Sequence, residues 1–121
     1  MKNVLVVGHC NLDHPRIASL VEDNFQAKAI RVEKLGDTIK FLDEGSYGLA
    51  IINRIGAFDQ ESGIELIKKI KNSGRFDTPL MLVTNYKDQM ELSIKCGGVQ
   101  GFGKDAMTES STIATLGKYL A

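Results

Sequence analysis

The sequence predicts an α/β protein built on a doubly wound, five-stranded parallel sheet of order 2-1-3-4-5. Three observations carry that prediction. Short apolar runs alternate with helix-period stretches along all 121 residues, five of each, the pattern of repeated βα units rather than of a bundle or a sandwich. Three of the apolar runs are unbroken, as in central strands that helices cover on both faces. Right-handed crossovers on such a sheet leave few topologies, and 2-1-3-4-5 is the common one at this length.

The strands are expected near Asn3 to Val7, Ala27 to Val32, Gly48 to Ile52, Pro79 to Thr84 and Val99 to Phe102. Lys28, Arg31 and Gln100 interrupt the second and fifth, which therefore read as edges. Apolar residues at three- and four-residue spacing mark the helices: Ile17, Leu20, Val21 and Phe25; Leu35, Ile39 and Leu42; Leu66, Ile67 and Ile70; a weaker set around Met90 and Ile94; and Ile113, Leu116 and Leu120. Pro15 sits at the expected start of the first helix, with Asp13 as its cap, and Gly45, Gly74 and Gly97-Gly98 sit at helix ends. Thr108 is placed to cap the last helix, with Glu109 in its first turn.

The whole chain, 1–121, reads as one domain. Fifteen basic residues balance fifteen acidic ones, so no field of one sign steers it to nucleic acid or an anionic membrane. The apolar runs are too short to span a bilayer, and Lys2 precedes only a brief apolar stretch ending in Gly8, unlike a secretory signal. A cytoplasmic location is expected, with Cys10 and Cys96 as reduced thiols.

In a doubly wound sheet, ligands sit at the carboxyl ends of the strands beside the switch point. That edge carries Gly8, His9 and Cys10 after the first strand, Asn53 and Arg54 after the third, Thr84 and Asn85 after the fourth, and Lys104 after the fifth. The segments DTPLMLVT (Asp77 to Thr84) and KCGGVQGFGK (Lys95 to Lys104) resemble the fourth and fifth strands of response-regulator receiver domains. YGLAIIN (Tyr47 to Asn53) followed by GIELIKKIK from Gly63 is similar to their third strand, active-site loop and third helix. The resemblance covers nearly the whole chain and implies a flavodoxin-like, receiver-like (βα)5 fold. It also implies Thr84 and Lys104 as retained switch and pocket residues.

The departures from that pattern concern chemistry. Receivers carry two metal-holding acids after the first strand, where this chain has Gly8 and His9, and a phospho-accepting Asp after the third, where it has Asn53. A neutral amide neither attacks phosphorus nor ligates a hard cation well. The loop from Asn53 to Gly63 is two residues longer than usual, Gly101 replaces the switch aromatic, and Asp105 follows Lys104 in place of Pro. The expectation is a degenerate receiver without enzymatic activity, metal or cofactor. It would act in bacterial two-component-type signalling by binding a protein, with a homodimer through the fourth helix, fifth strand and fifth helix as the arrangement the resemblance implies.

The alternative is a sensor of small anionic ligands that uses the vestigial cleft through His9, Thr84 and Lys104. Arg54 and Asp59 are further contributors to the pocket, with Arg54 reaching for solvent and Lys104 pairing with Asp59 or Asp105. His9, Cys10, Asp13 and His14 form a dense group of ligating side chains, but their spacing fits no zinc pattern. The segment HCNLDHPR lacks both a flavin-phosphate loop and an Asp-x-His-x-x-Gly cobalamin motif. Phe58 is either a loop anchor or an exposed contact.

Overall fold

A computed structural model describes all 121 residues. The order is β1 (Lys2–Val7), α1 (Asp13–Asn24), β2 (Ala27–Val32), α2 (Thr38–Glu44), β3 (Leu49–Asn53), α3 (Gly63–Ser73), β4 (Leu80–Val83), α4 (Lys87–Lys95), β5 (Val99–Phe102) and α5 (Ser110–Leu120), with short 3-10 turns at Leu35–Asp37 and Lys104–Ala106. All strands are parallel in the order β2-β1-β3-β4-β5. The interrupted runs do form the edges.

Alternation along the strands splits the core in two. Val4 and Val6 join Ile51, Met81 and Val83 under α1 and α5, where Ile17, Leu20, Val21, Leu116 and Leu120 cover them. Leu5 and Val7 face the other way, with Ala50, Ile52 and Leu82, against Leu35, Leu42, Ile64, Ile67 and Ile70. Side chains of period two in the strands thus meet stripes of period 3.6 in the helices on both faces.

Ile39, Leu66 and Ile113 lie in helices as the spacing predicts and pack half-buried against the core, with Ile64 buried beside Ile67 and Ile70. Several local expectations are corrected. On α4, Met90 is buried while Ile94 is exposed, so the inward face runs through Met90 and Ser93. Asp13 does not cap α1: Leu12 holds the cap position, and Asp13 donates its own N–H to the Cys10 thiol at 3.4 Å. Thr108 does not cap α5, because the 3-10 turn carries the chain on to Ser110 and the Thr112 hydroxyl bonds the Ala106 carbonyl at 2.6 Å. β4 ends at Val83 because the Thr84 hydroxyl accepts from the Tyr86 N–H at 3.1 Å, turning the chain out of the sheet.

The β4–β5 ladder slips by one residue: Met81 pairs with Val99, but Val83 pairs with Phe102. Gly101 lies in that bulge and donates its N–H to the Met90 sulfur at 3.3 Å. A Cβ here would stand 1.9 Å from the Leu82 carbonyl oxygen. The switch aromatic of receivers is therefore excluded by backbone, since no side chain fits without moving a strand. Gly101→Ala should cost about 1–3 kcal/mol in urea denaturation, whereas Gly117→Ala, in ordinary contact distance of Phe25 within α5, should gain about 0.5–1 kcal/mol.

Candidate functional site

The site is assembled where the chain leaves β1, β3, β4 and β5. Gly8 comes first, with φ +76, a conformation that other residues adopt only under strain. A Cβ on Gly8 would lie 2.1 Å from Leu35 Cδ1. The position of one receiver acid is thus filled from the opposite side by a core leucine. The Gly8 carbonyl accepts from the Asn53 side-chain amide at 3.1 Å and from the Ala57 N–H at 2.9 Å.

That geometry explains an amide rather than a carboxylate after β3. Asn53 is 5% exposed, and its Nδ2 donates to a carbonyl oxygen, which an ionised Asp would repel.

His9 turns inward. It is 1% exposed, and one ring nitrogen, Nε2, lies 3.1 Å from the Ile51 carbonyl, while Nδ1 is buried without a partner. Because a carbonyl can only accept, Nε2 carries the hydrogen and the neutral ring is the form that fits. Burial, aided by the Lys104 charge, lowers the His9 pKa from 6.5 to about 4 against the raising effects of the Ile51 bond and Asp13. His9 therefore faces the sheet rather than the cleft, and the anion grip expected of His9, Thr84 and Lys104 is not assembled.

Lys104 pairs with neither Asp59 nor Asp105. Its ammonium lies 3.2 Å from Asp13 Oδ2, so an acid from the first turn of α1 meets the lysine that closes β5. Burial opposes ionisation of Asp13, but hydrogen bonding to and attraction by Lys104, with a hydrogen bond from Cys10, hold its pKa below the ordinary 3.8. Asp59 is not a pocket residue either. Its two oxygens accept from the Gly36 and Glu61 N–H groups at 3.1 and 3.4 Å, tying the long loop down beside the Leu35–Asp37 turn.

Arg54 does not extend freely into solvent. It is half-buried, with its guanidinium 5.0 Å from the centre of the Tyr86 ring. Phe58 is 41% exposed yet also lies 5.6 Å from the Arg31 guanidinium, so it is at once an anchor and a surface group. Arg31 in turn donates to the Asn11 side chain at 2.7 Å and the His9 carbonyl at 3.3 Å. No three His, Cys, Asp or Glu side chains converge as metal ligands do.

A cleft of about 400 Å³ opens at this edge, walled by Asn53, Arg54, Thr84, Asn85, Tyr86 and Lys104. Tyr86 and Asn85, whose Oδ1 accepts from the Asp105 N–H at 3.1 Å, are the residues that the sequence reading left without a role. An aromatic and a cation on loops after adjacent strands were the available signal.

No protein-family profile matches the chain, and no curated protein matches it in sequence. Solved structures do match. The receiver domain of the TMAO respiratory system response regulator TorR is 15% identical, with 98% of this chain and 94% of that one covered and a TM-score of 0.77. The BeF3-activated N-terminal receiver domain of Klebsiella pneumoniae RstA is 13% identical, with 97% of each chain covered and a TM-score of 0.82. The Mn(2+)-bound form of response regulator Rcp1 is 12% identical, covered over 94% of this chain and 88% of that one, with a TM-score of 0.72. The fold is that of response-regulator receiver domains.

Two measurements test the site. His9 favours the folded state while it is neutral, so stability should be full above about pH 6.5 and fall towards pH 4, by about 3 kcal/mol. His14, also held below 6.5 by burial and by the Arg31 charge against Glu22, adds to the same window. Urea midpoints from pH 7.5 to 4.5 should show the fall, and His9→Gln should flatten most of it. The Asp13 contribution, present above pH 3.8, is lost only in stronger acid. Asn53→Asp should lose about 1–3 kcal/mol at neutral pH, and a variant as stable as the parent would contradict the role given to the amide.

Proposed function

We propose that this chain is a phosphorylation-independent receiver-like module that signals by binding another protein and catalyses no reaction. The observation that supports this reading best is the Gly8 and Asn53 geometry. One acidic position has left-handed backbone with Leu35 packed into its side-chain space, and the acceptor position holds an amide bonded to the Gly8 carbonyl. Magnesium would meet no carboxylate in the cleft wall, and Asp13 is already engaged by Lys104.

Protein binding draws on exposed apolar side chains. Leu92 and Ile94 are exposed on α4 at 44% and 40%, and a separate groove lined by Tyr86, Met90, Gly101, Phe102 and Thr112 runs between α4, β5 and α5. In this reading a second copy of the chain would use the surface formed by α4, β5 and α5. No helix is long and apolar enough to cross a membrane, and the balanced charge gives no reason to expect nucleic acid.

Acetyl phosphate with magnesium tests the reading directly. The intact mass should not change on incubation, and a stable gain of one phosphoryl group on any carboxylate would overturn it.

A further inference from the structure

We propose that the cleft at the carboxyl edge receives an Asp or Glu side chain of a protein partner, with Arg54 as the clamp. The inference rests on the protein-binding reading and names where, and by what chemistry, the partner is held.

The charges in and around the cleft are unequally satisfied. It has two cationic side chains in its wall and no acidic one. Lys104 has its counter-ion in Asp13, whereas Arg54 forms no ion pair, its close partner being the Tyr86 ring. Arginine held over an aromatic face keeps N–H donors for a planar, two-oxygen acceptor, and a carboxylate matches that fork. Asn85 and Tyr86 add polar groups at the mouth.

The surroundings favour a side chain carried by a protein over a free anion. Leu12, Phe58 and Tyr86, on the loops after β1, β3 and β4, are 71%, 41% and 58% exposed. These loops leave the same sheet edge as the cleft, and a small anion would leave their apolar surface uncovered. A polyanion is disfavoured by the zero net charge.

Panning a random peptide library against the full chain and against Arg54→Glu tests the assignment. The parent should enrich peptides with an Asp or Glu beside apolar residues. In fluorescence polarisation their affinity should fall by at least roughly tenfold for Arg54→Glu, and again when the peptide's acid becomes Asn or Gln. Arg54→Lys should weaken binding less than Arg54→Glu does. Circular dichroism on each variant confirms folding, and Arg54→Gln serves if the charge reversal unfolds the chain. Enriched peptides without an acid, or acidic peptides indifferent to Arg54, would overturn the cleft assignment while leaving protein binding intact. So would an absence of enrichment, or competition by millimolar succinate or inorganic phosphate that matches the peptide, which would make this a free-anion site. A phosphoryl gain from acetyl phosphate is a separate failure, of the phosphorylation-independent reading itself.

Discussion

The peptide unit at Gly8 holds the carboxyl edge together. Its N–H donates to the Val32 carbonyl at 2.8 Å, and its own carbonyl accepts from Ala57 N–H and from Asn53 Nδ2. One residue therefore ties the end of β1 to the end of β2, to β3 and to the long loop that follows β3. Its positive φ permits that set of bonds, and the absent Cβ gives Leu35 its place in the core. In a buried setting such bonds are costly to leave unmade, so the surrounding residues are chosen to complete them. Asn53 is an amide for that reason, and the loop beyond it is pinned at Ala57 and Asp59.

Around this fixed point the remaining charges rearrange. Lys104 still needs a counter-ion at the edge, and Asp13 supplies one from the first turn of α1, since the β1 end has no acid. The substitution moves negative charge out of the centre of the edge to its side. What faces the cleft from β3 and β4 is then amide, hydroxyl, phenol and guanidinium. A hard divalent cation finds no carboxylate oxygen in that wall, and an anion finds a guanidinium with no competing acid.

Much of the fold was legible because it rests on patterns that sequence states directly. Short apolar runs placed all five strands and period-3.6 apolar spacing all five helices, and the interrupted second and fifth runs marked the edges. Helix starts were less legible. Asp13 and Thr108 have good capping chemistry, yet Cys10 meets the Asp13 N–H and a 3-10 turn shifts the start of α5. At the site, order and spacing along the chain brought Asn53, Thr84 and Lys104 to one edge, as the structure does. The partners of Lys104 and Arg54 were hidden, because pairing across loops from different strands depends on side-chain direction. Asp59 and Asp105 are near Lys104 in the receiver pattern or in sequence, but Asp13 is the acid within reach.

The departures from receiver chemistry are not equivalent to four exchanged side chains. Two of them, at Gly8 and Gly101, are written into the backbone, one as a left-handed residue with a leucine against it and the other as a bulge that brings a strand carbonyl to 1.9 Å from where a Cβ would be. Restoring an acid at the first demands that Leu35 shift and that a side chain accept a positive φ, and an aromatic at the second demands movement of the β4 main chain, which close-packed interiors resist. An acid at Asn53 alone would meet the Gly8 carbonyl with no cation to offset it. Gly8 and Gly101 are thus fixed by independent contacts, one against Leu35 and the other against the β4 main chain. Arg54 is held beside them by its own main chain, its N–H donating to the Val83 carbonyl at 3.2 Å and its carbonyl accepting from the Gly63 N–H at 2.7 Å, with the guanidinium over the Tyr86 ring.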